Sequence, residues 1–249
     1  MTIDLVIRHG RAVTPRGIVE GDIAITGERI VSVGTPVTSA KQLIDAKGHW
    51  VMPGGVDPHA HIEQTSGMGV MNADTFETAT TSAAMGGTTS VISFAAQAKG
   101  QALTEMVADY TARAKRGAMI DHAFHMTVTD TSVPGFDRDL GDLIKTGHRS
   151  IKVFTTYNIQ LSDREILDTM ALARKNGALV CVHAENDAII ARAKDDLIAR
   201  GKVRPSDHAL SRPRMAEIES VARICRFAEY LDQPVMLFHI STAEAAALV

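Results

Sequence analysis

The chain has 249 residues, of which 45% are hydrophobic, enough to bury the core of one α/β barrel-sized domain or of a main domain with a small companion. Its 26 basic and 29 acidic residues give a net charge of -3, with no basic stripe interleaved with aromatics, which argues against nucleic acid as a partner. No apolar run reaches the roughly 18 residues of a membrane span, and Cys181 and Cys225 lie outside any CxxC pair, so the expectation is a cytoplasmic protein with reduced thiols and no membrane partner.

Residues 1–50 read as short β segments broken by glycine turns: Asp4 to Gly10, Gly21 to Ile25, Arg29 to Gly34 and Gln42 to Gly48. Such spacing fits a small β-sandwich domain. From residue 51 to 249 the texture changes to apolar runs alternating with helix-forming stretches. Strands are expected at Thr88 to Phe94, Ile120 to Val128, Ser150 to Thr155, Ala178 to Ala184 and Pro234 to Ile240, and helices over 73–86, 101–117, 162–176 and 213–231. Asp163 and Glu165 mark a helix start, and Gly86, Gly117 and Gly177 mark helix stops. Strand and helix alternating this regularly imply a parallel sheet with right-handed crossovers. With the strand that begins near Val51, six such strands can be counted, two fewer than a (β/α)8 barrel needs to close.

The strand at Val51 leads through a glycine turn to His59 and His61. Residues at i and i+2 of a strand share a face, so both imidazoles point one way while Ala60 points back. Two neighbouring histidines alone are more often a coincidence than a metal site, so the other strands decide. Lys152 lies between apolar neighbours, His183 ends the run from Leu179, and His239 ends the run from Val235. Each is polar where a barrel presents its working rim, at the C-terminal ends of strands. A lysine among histidines has a chemical use: a neutral, desolvated amine can be carboxylated by carbon dioxide, and the carbamate oxygens can bridge two divalent cations.

These residues resemble the cyclic amidohydrolases, most closely the dihydropyrimidinase and hydantoinase family. The motifs are Pro53 to His61, Gly86-Gly87-Thr88-Thr89, Lys152 to Tyr157, Val182 to Asn186, His208 to Pro213 and His239-Ile240-Ser241. The resemblance implies a TIM-like (β/α)8 metallo-hydrolase barrel over residues 51–249, incomplete by two strands, behind a β-sandwich portion over 1–50. It further implies two zinc ions, or another divalent metal, with His59 and His61 on one, His183 and His239 on the other, and N6-carboxylated Lys152 bridging both. Tyr157 would hydrogen-bond the oxyanion as a catalytic residue. The implied reaction opens a cyclic amide in hydantoins or dihydropyrimidines to give N-carbamoyl amino acids, in a homo-oligomer, dimer or tetramer.

Dihydroorotases place an arginine two residues after the second histidine, where this chain has Glu63, which would repel a carboxylate substrate. Allantoinases usually have an asparagine there. An allantoinase-type ureide hydrolase and a non-catalytic scaffold are the alternatives; scaffold relatives lose metal ligands, whereas all five candidates are present here. Residues 63–72 are expected to form a loop over the substrate's exocyclic group. Family members run to roughly twice this length and carry a further metal-binding aspartate beyond the sixth strand, so the sequence is expected to be the N-terminal part of a longer enzyme.

Overall fold

The computed structural model of the chain describes residues 2–66 and 69–249, so Gly67 and Met68 of the expected substrate loop lie outside the described residues. The chain divides into two compact units, Met1–Gly55 and Val56–Val249.

The first unit is a mixed five-stranded sheet. β1 (Leu5–Thr14) pairs antiparallel with β2 (Gly17–Thr26), which pairs antiparallel with β3 (Arg29–Val33). β4 (Gln42–Asp45) and β5 (Trp50–Val51) both pair in parallel with β1, at Leu5 to Arg8 and at Arg11 to Ala12. Val6, Ala12, Ile23 and Ala24 are its buried apolar side chains. The sandwich expected here would need a second layer, and the described residues supply this one sheet.

The second unit is built on a six-stranded sheet in sequential order: β6 (Gly55–Ala60), β7 (Thr88–Ala96), β8 (Asp121–Thr127), β9 (Ser150–Phe154), β10 (Leu179–His183) and β11 (Val235–Leu237). From β7 to β11 every neighbouring pair is parallel. Each crossover carries a helix: α1 (Phe76–Met85), α2 (Leu103–Gly117), α3 (Phe136–Lys145), α4 (Asp163–Asn176), then α5 (Asp187–Ala199), a 3-10 turn (Pro205–Ser211) and α6 (Arg214–Leu231). A short α7 (Ala243–Ala246) follows β11. This is a parallel half-barrel, the arrangement of a partial TIM barrel. The strands expected around His59 and His239 are shorter than the apolar runs. Residues 52–54 separate β5 from β6, and β11 stops before Phe238 and His239.

Strand parity sorts the side chains. Phe124 and Met126 of β8, Ile151 and Val153 of β9, and Val180 and Val182 of β10 face the helices, where they meet Met106, Leu140, Ile144, Ile166, Met170, Val221 and Ile224 in one core. The alternate residues face the other side, where Phe94, Cys181 and Phe238 form a small separate cluster. Helix ends follow local chemistry. Ser162 caps α4 by accepting the Glu165 N–H, while the Glu165 carboxylate returns to the Ser162 N–H. Gly177 ends α4 at φ 76°, a conformation that favours glycine. Gly117 instead permits close approach, since a Cβ there would sit 2.8 Å from the Glu77 Cβ.

Candidate functional site

Because parity repeats along each strand, the inner face of the half-barrel collects His59 from β6, Thr127 and His125 from β8, Lys152 from β9 and His183 from β10, with His61 just past β6 and His239 just past β11. The rings form a continuous series. The centroids of His61 and His59 are 5.5 Å apart, those of His59 and His239 5.5 Å, those of His239 and His183 4.6 Å, and those of His183 and Tyr157 5.2 Å. All six residues singled out in the sequence therefore converge on one rim.

Lys152 lies among these rings, 1% exposed, in a cage of three aromatic faces. Its Nζ is 4.2 Å from the centroid of Phe238, 4.8 Å from Phe154 and 5.9 Å from Phe94. Phe238 in turn touches His59 at 4.7 Å, and Phe154 stacks on His183 at 5.4 Å. The Nζ has no hydrogen-bond partner among the described residues. Burial without a partner disfavours the ammonium, and the lysine pKa falls to about 7. Burial, followed by the charges of Lys152 and the neighbouring histidines, lowers His59 to about 4. Burial also lowers His239, with His183 and Lys152 adding to the effect.

Several neighbours fix ring orientation. The His61 Nδ1 is 2.7 Å from the Gln64 Oε1, and the His183 Nε2 is 2.6 Å from the Glu185 Oε2. Each contact occupies one ring nitrogen and leaves the other available as a ligand, as oxygens hydrogen-bonded to metal-bound histidines do. Glu185 is also gripped by Arg212, whose guanidinium lies 4.9 Å over the Tyr157 ring. Burial pushes the Glu185 carboxyl up, but hydrogen bonds from His183 and Arg212 together outweigh it and hold it below its ordinary value. Burial raises the Tyr157 phenol, against the opposing charge of Arg212. Two of these side chains sit on strained backbone, Tyr157 at φ 71° and His239 at φ 41°.

His125 underlies the site, 3% exposed. Its Nε2 donates to the Pro58 carbonyl at 2.8 Å and its Nδ1 accepts from the Ser150 hydroxyl at 2.6 Å. The Pro58 contact anchors the strand end that carries His59. Burial lowers the His125 pKa, in keeping with a neutral ring in this pair of bonds. His125, Glu185 and Arg212 carry no role in the sequence reading. The inward parity of His125 with Thr127 was a signal for the first, and nothing local announces the pairing of the other two.

Among the described residues, no three His, Cys, Asp or Glu side chains come together in a group that could hold a metal ion. The imidazoles of His61, His59, His239 and His183 instead follow one another at 5.5, 5.5 and 4.6 Å, and the unpartnered amine of Lys152 lies in the same cluster. Two imidazoles on one tetrahedral cation, each with nitrogen about 2.0 Å from it, place their centroids roughly 5 Å apart. The separations of 5.5 Å and 4.6 Å are close to that value. Neighbouring imidazoles are thus spaced as ligands of a divalent cation would be.

A cavity of about 600 Å³ opens beside the rings, lined by His61, Gln64, Phe94, Thr127, Phe154 and Tyr157 among others. Glu63 does not line it. Its carboxylate accepts from the Phe76 N–H at 3.1 Å and from Arg116 at 3.0 Å, so it secures the start of α1. A repulsive role for Glu63 toward a substrate carboxylate therefore lacks a structural basis.

The model of the amidohydrolase family matches residues 50–218. The D-hydantoinase of Ralstonia pickettii is 38% identical over 98% of this chain and 53% of its own length. A solved structure of a D-hydantoinase superposes with a TM-score of 0.94 at 37% identity over 99% of this chain and 54% of that one. The dihydropyrimidinase of Brevibacillus agri superposes at 0.92 with 33% identity over 98% and 53%. The chain spans about half the length of the curated relatives it matches.

Proposed function

The chain belongs to the amidohydrolase family, and from that premise we propose that the protein carrying it hydrolyses the amide bond of a small cyclic imide or ureide, a hydantoin or dihydropyrimidine, to an N-carbamoyl amino acid. The observation that carries the reading is Lys152, fully buried, without a hydrogen-bond partner and enclosed by aromatic rings that themselves pack on His59 and His183. At a pKa of about 7 a large share of the amine is neutral in ordinary buffer, the form that adds to carbon dioxide. The carbamate so formed would supply the oxygens that the imidazole pairs lack. His59 and His61 would hold one divalent cation and His183 and His239 the other, zinc being a suitable metal for imidazole and carboxylate donors. When bound, such a pair supplies a water acidic enough to attack near neutral pH and a Lewis acid for the scissile carbonyl.

The chain's own residues prepare that chemistry. The raised pKa of Tyr157 keeps its phenol protonated, so it can donate to the oxygen that gains charge as the carbonyl is attacked. Arg212 stacks on the phenol and grips Glu185, and Glu185 holds the His183 ring, so one guanidinium orients both sides of the cleft. Gln64 fixes His61 in the same manner. The low pKa of His59 keeps its ring neutral, with a free lone pair, well into acid. In the same reading the six-stranded sheet is part of an eight-stranded barrel and the N-terminal sheet part of a β-sandwich. The test is elemental analysis and hydantoin or dihydrouracil turnover of the native protein and of His59→Ala. The expected result is about two metal ions per chain with ring opening, both lowered strongly in the variant; normal turnover by His59→Ala overturns the assignment.

A further inference from the structure

Resting on the cyclic-amide reading, we propose that Thr127 is a substrate-specificity residue, whose hydroxyl selects rings bearing a hydrogen-bonding group on the substituent that enters the cavity beside Tyr157. Thr127 closes β8 on the inner face, in register with Lys152 of β9. It is 2% exposed and lines the cavity together with His61, Phe94, Phe154 and Tyr157. Its Oγ1 has no hydrogen-bond partner among the described residues.

The neighbouring threonine hydroxyls are all bonded within the protein. The Thr129 hydroxyl donates to the Gln97 carbonyl at 3.0 Å, the Thr155 hydroxyl donates to the Glu185 carbonyl at 2.8 Å, and the Thr156 hydroxyl to the Asp187 carboxylate at 2.8 Å. Ser93 and Thr169 also have buried hydroxyls without partners, but neither lines this cavity. A buried hydroxyl without a partner is unfavourable, and valine would fill the same volume without it. The cavity is also lined by Phe94, Ala96 and Phe154 and by the polar Gln97 and Thr129, whose side chains bond each other's backbone, so Thr127 supplies a buried polar atom still able to bond a ligand. A site holding such a hydroxyl favours a substrate group that completes the bond over an isosteric apolar one.

The experiment uses the native protein and two rings of matched size, 5-hydroxymethylhydantoin and 5-ethylhydantoin. The wild type is expected to favour the hydroxymethyl ring by roughly tenfold in kcat/KM. Thr127→Val brings that ratio to about one, chiefly by raising KM for the hydroxymethyl ring, with metal content unchanged and Tm not lowered. Thr127→Ser, which keeps the hydroxyl, retains the preference. A ratio unchanged in Thr127→Val overturns the proposal, as does loss of metal from that variant, which would assign the hydroxyl to the Lys152 side instead. A wild type that opens neither ring, nor any other cyclic amide, overturns the reading beneath the proposal together with it.

Discussion

Replacing Lys152 by methionine removes a charge from the core while keeping an unbranched chain of similar length. The unfolded chain holds this amine at its ordinary value of 10.5, and the folded protein lowers it to about 7. At roughly 1.36 kcal/mol for each pH unit, that difference opposes folding by about 5 kcal/mol once the amine must be protonated. Between about pH 7 and 10.5 the unfolded chain binds more protons than the folded one, so stability rises with pH across that window and is lowest below it. From pH 6 to 9 the wild type should gain about 3 kcal/mol relative to Lys152→Met. The assay is urea unfolding of metal-free protein in buffer freed of carbon dioxide. Near pH 6 the variant should also be the more stable of the two. Parallel stability curves, or a variant less stable at pH 6, would refute a desolvated, unpartnered amine at this position.

Ser162→Ala removes the reciprocal cap of α4 and should lower stability by about 1 kcal/mol, read as a lower urea midpoint with an unchanged slope. Glu185→Gln exchanges the carboxylate against the His183 Nε2 for a neutral amide and leaves Arg212 without its acid. Metal affinity should fall by roughly 10- to 100-fold in competition with a chelator, with the circular dichroism spectrum unchanged; an unaltered affinity would show that Glu185 does not orient the ring.

Legibility followed the range of the interactions. The strands of the half-barrel stand out because apolar runs follow glycines, Gly87, Gly117, Gly147 and Gly177 before β7 to β10, and the His59 and His61 pair stands out because strand parity is strictly local. α3 is missing from the sequence expectations although Phe136, Leu140 and Ile144 sit at helical spacing and are buried; Asp137, Asp139 and Asp142 mask the periodicity, and Gly135 precedes them. α5 has no buried residue, so it offers no apolar stripe to read. The end of β11 is misjudged for the opposite reason, since Phe238 extends the apolar run although the backbone turns to φ 41° at His239. The link from Arg212 to Glu185 and on to Tyr157 joins residues far apart in the chain, and only the folded sheet makes them neighbours.

The left-handed backbone at Tyr157 and His239 has a bearing on how this sequence can change. A side chain held in that conformation sacrifices roughly 1–2 kcal/mol that glycine would not. Selection for stability alone would therefore favour glycine at these two rim positions, and glycine would erase a phenol and an imidazole from the cleft. A homologue drifting away from catalysis should shed these side chains early and become more robust as it does so, which makes the two positions sensitive indicators of whether a relative still works as an enzyme.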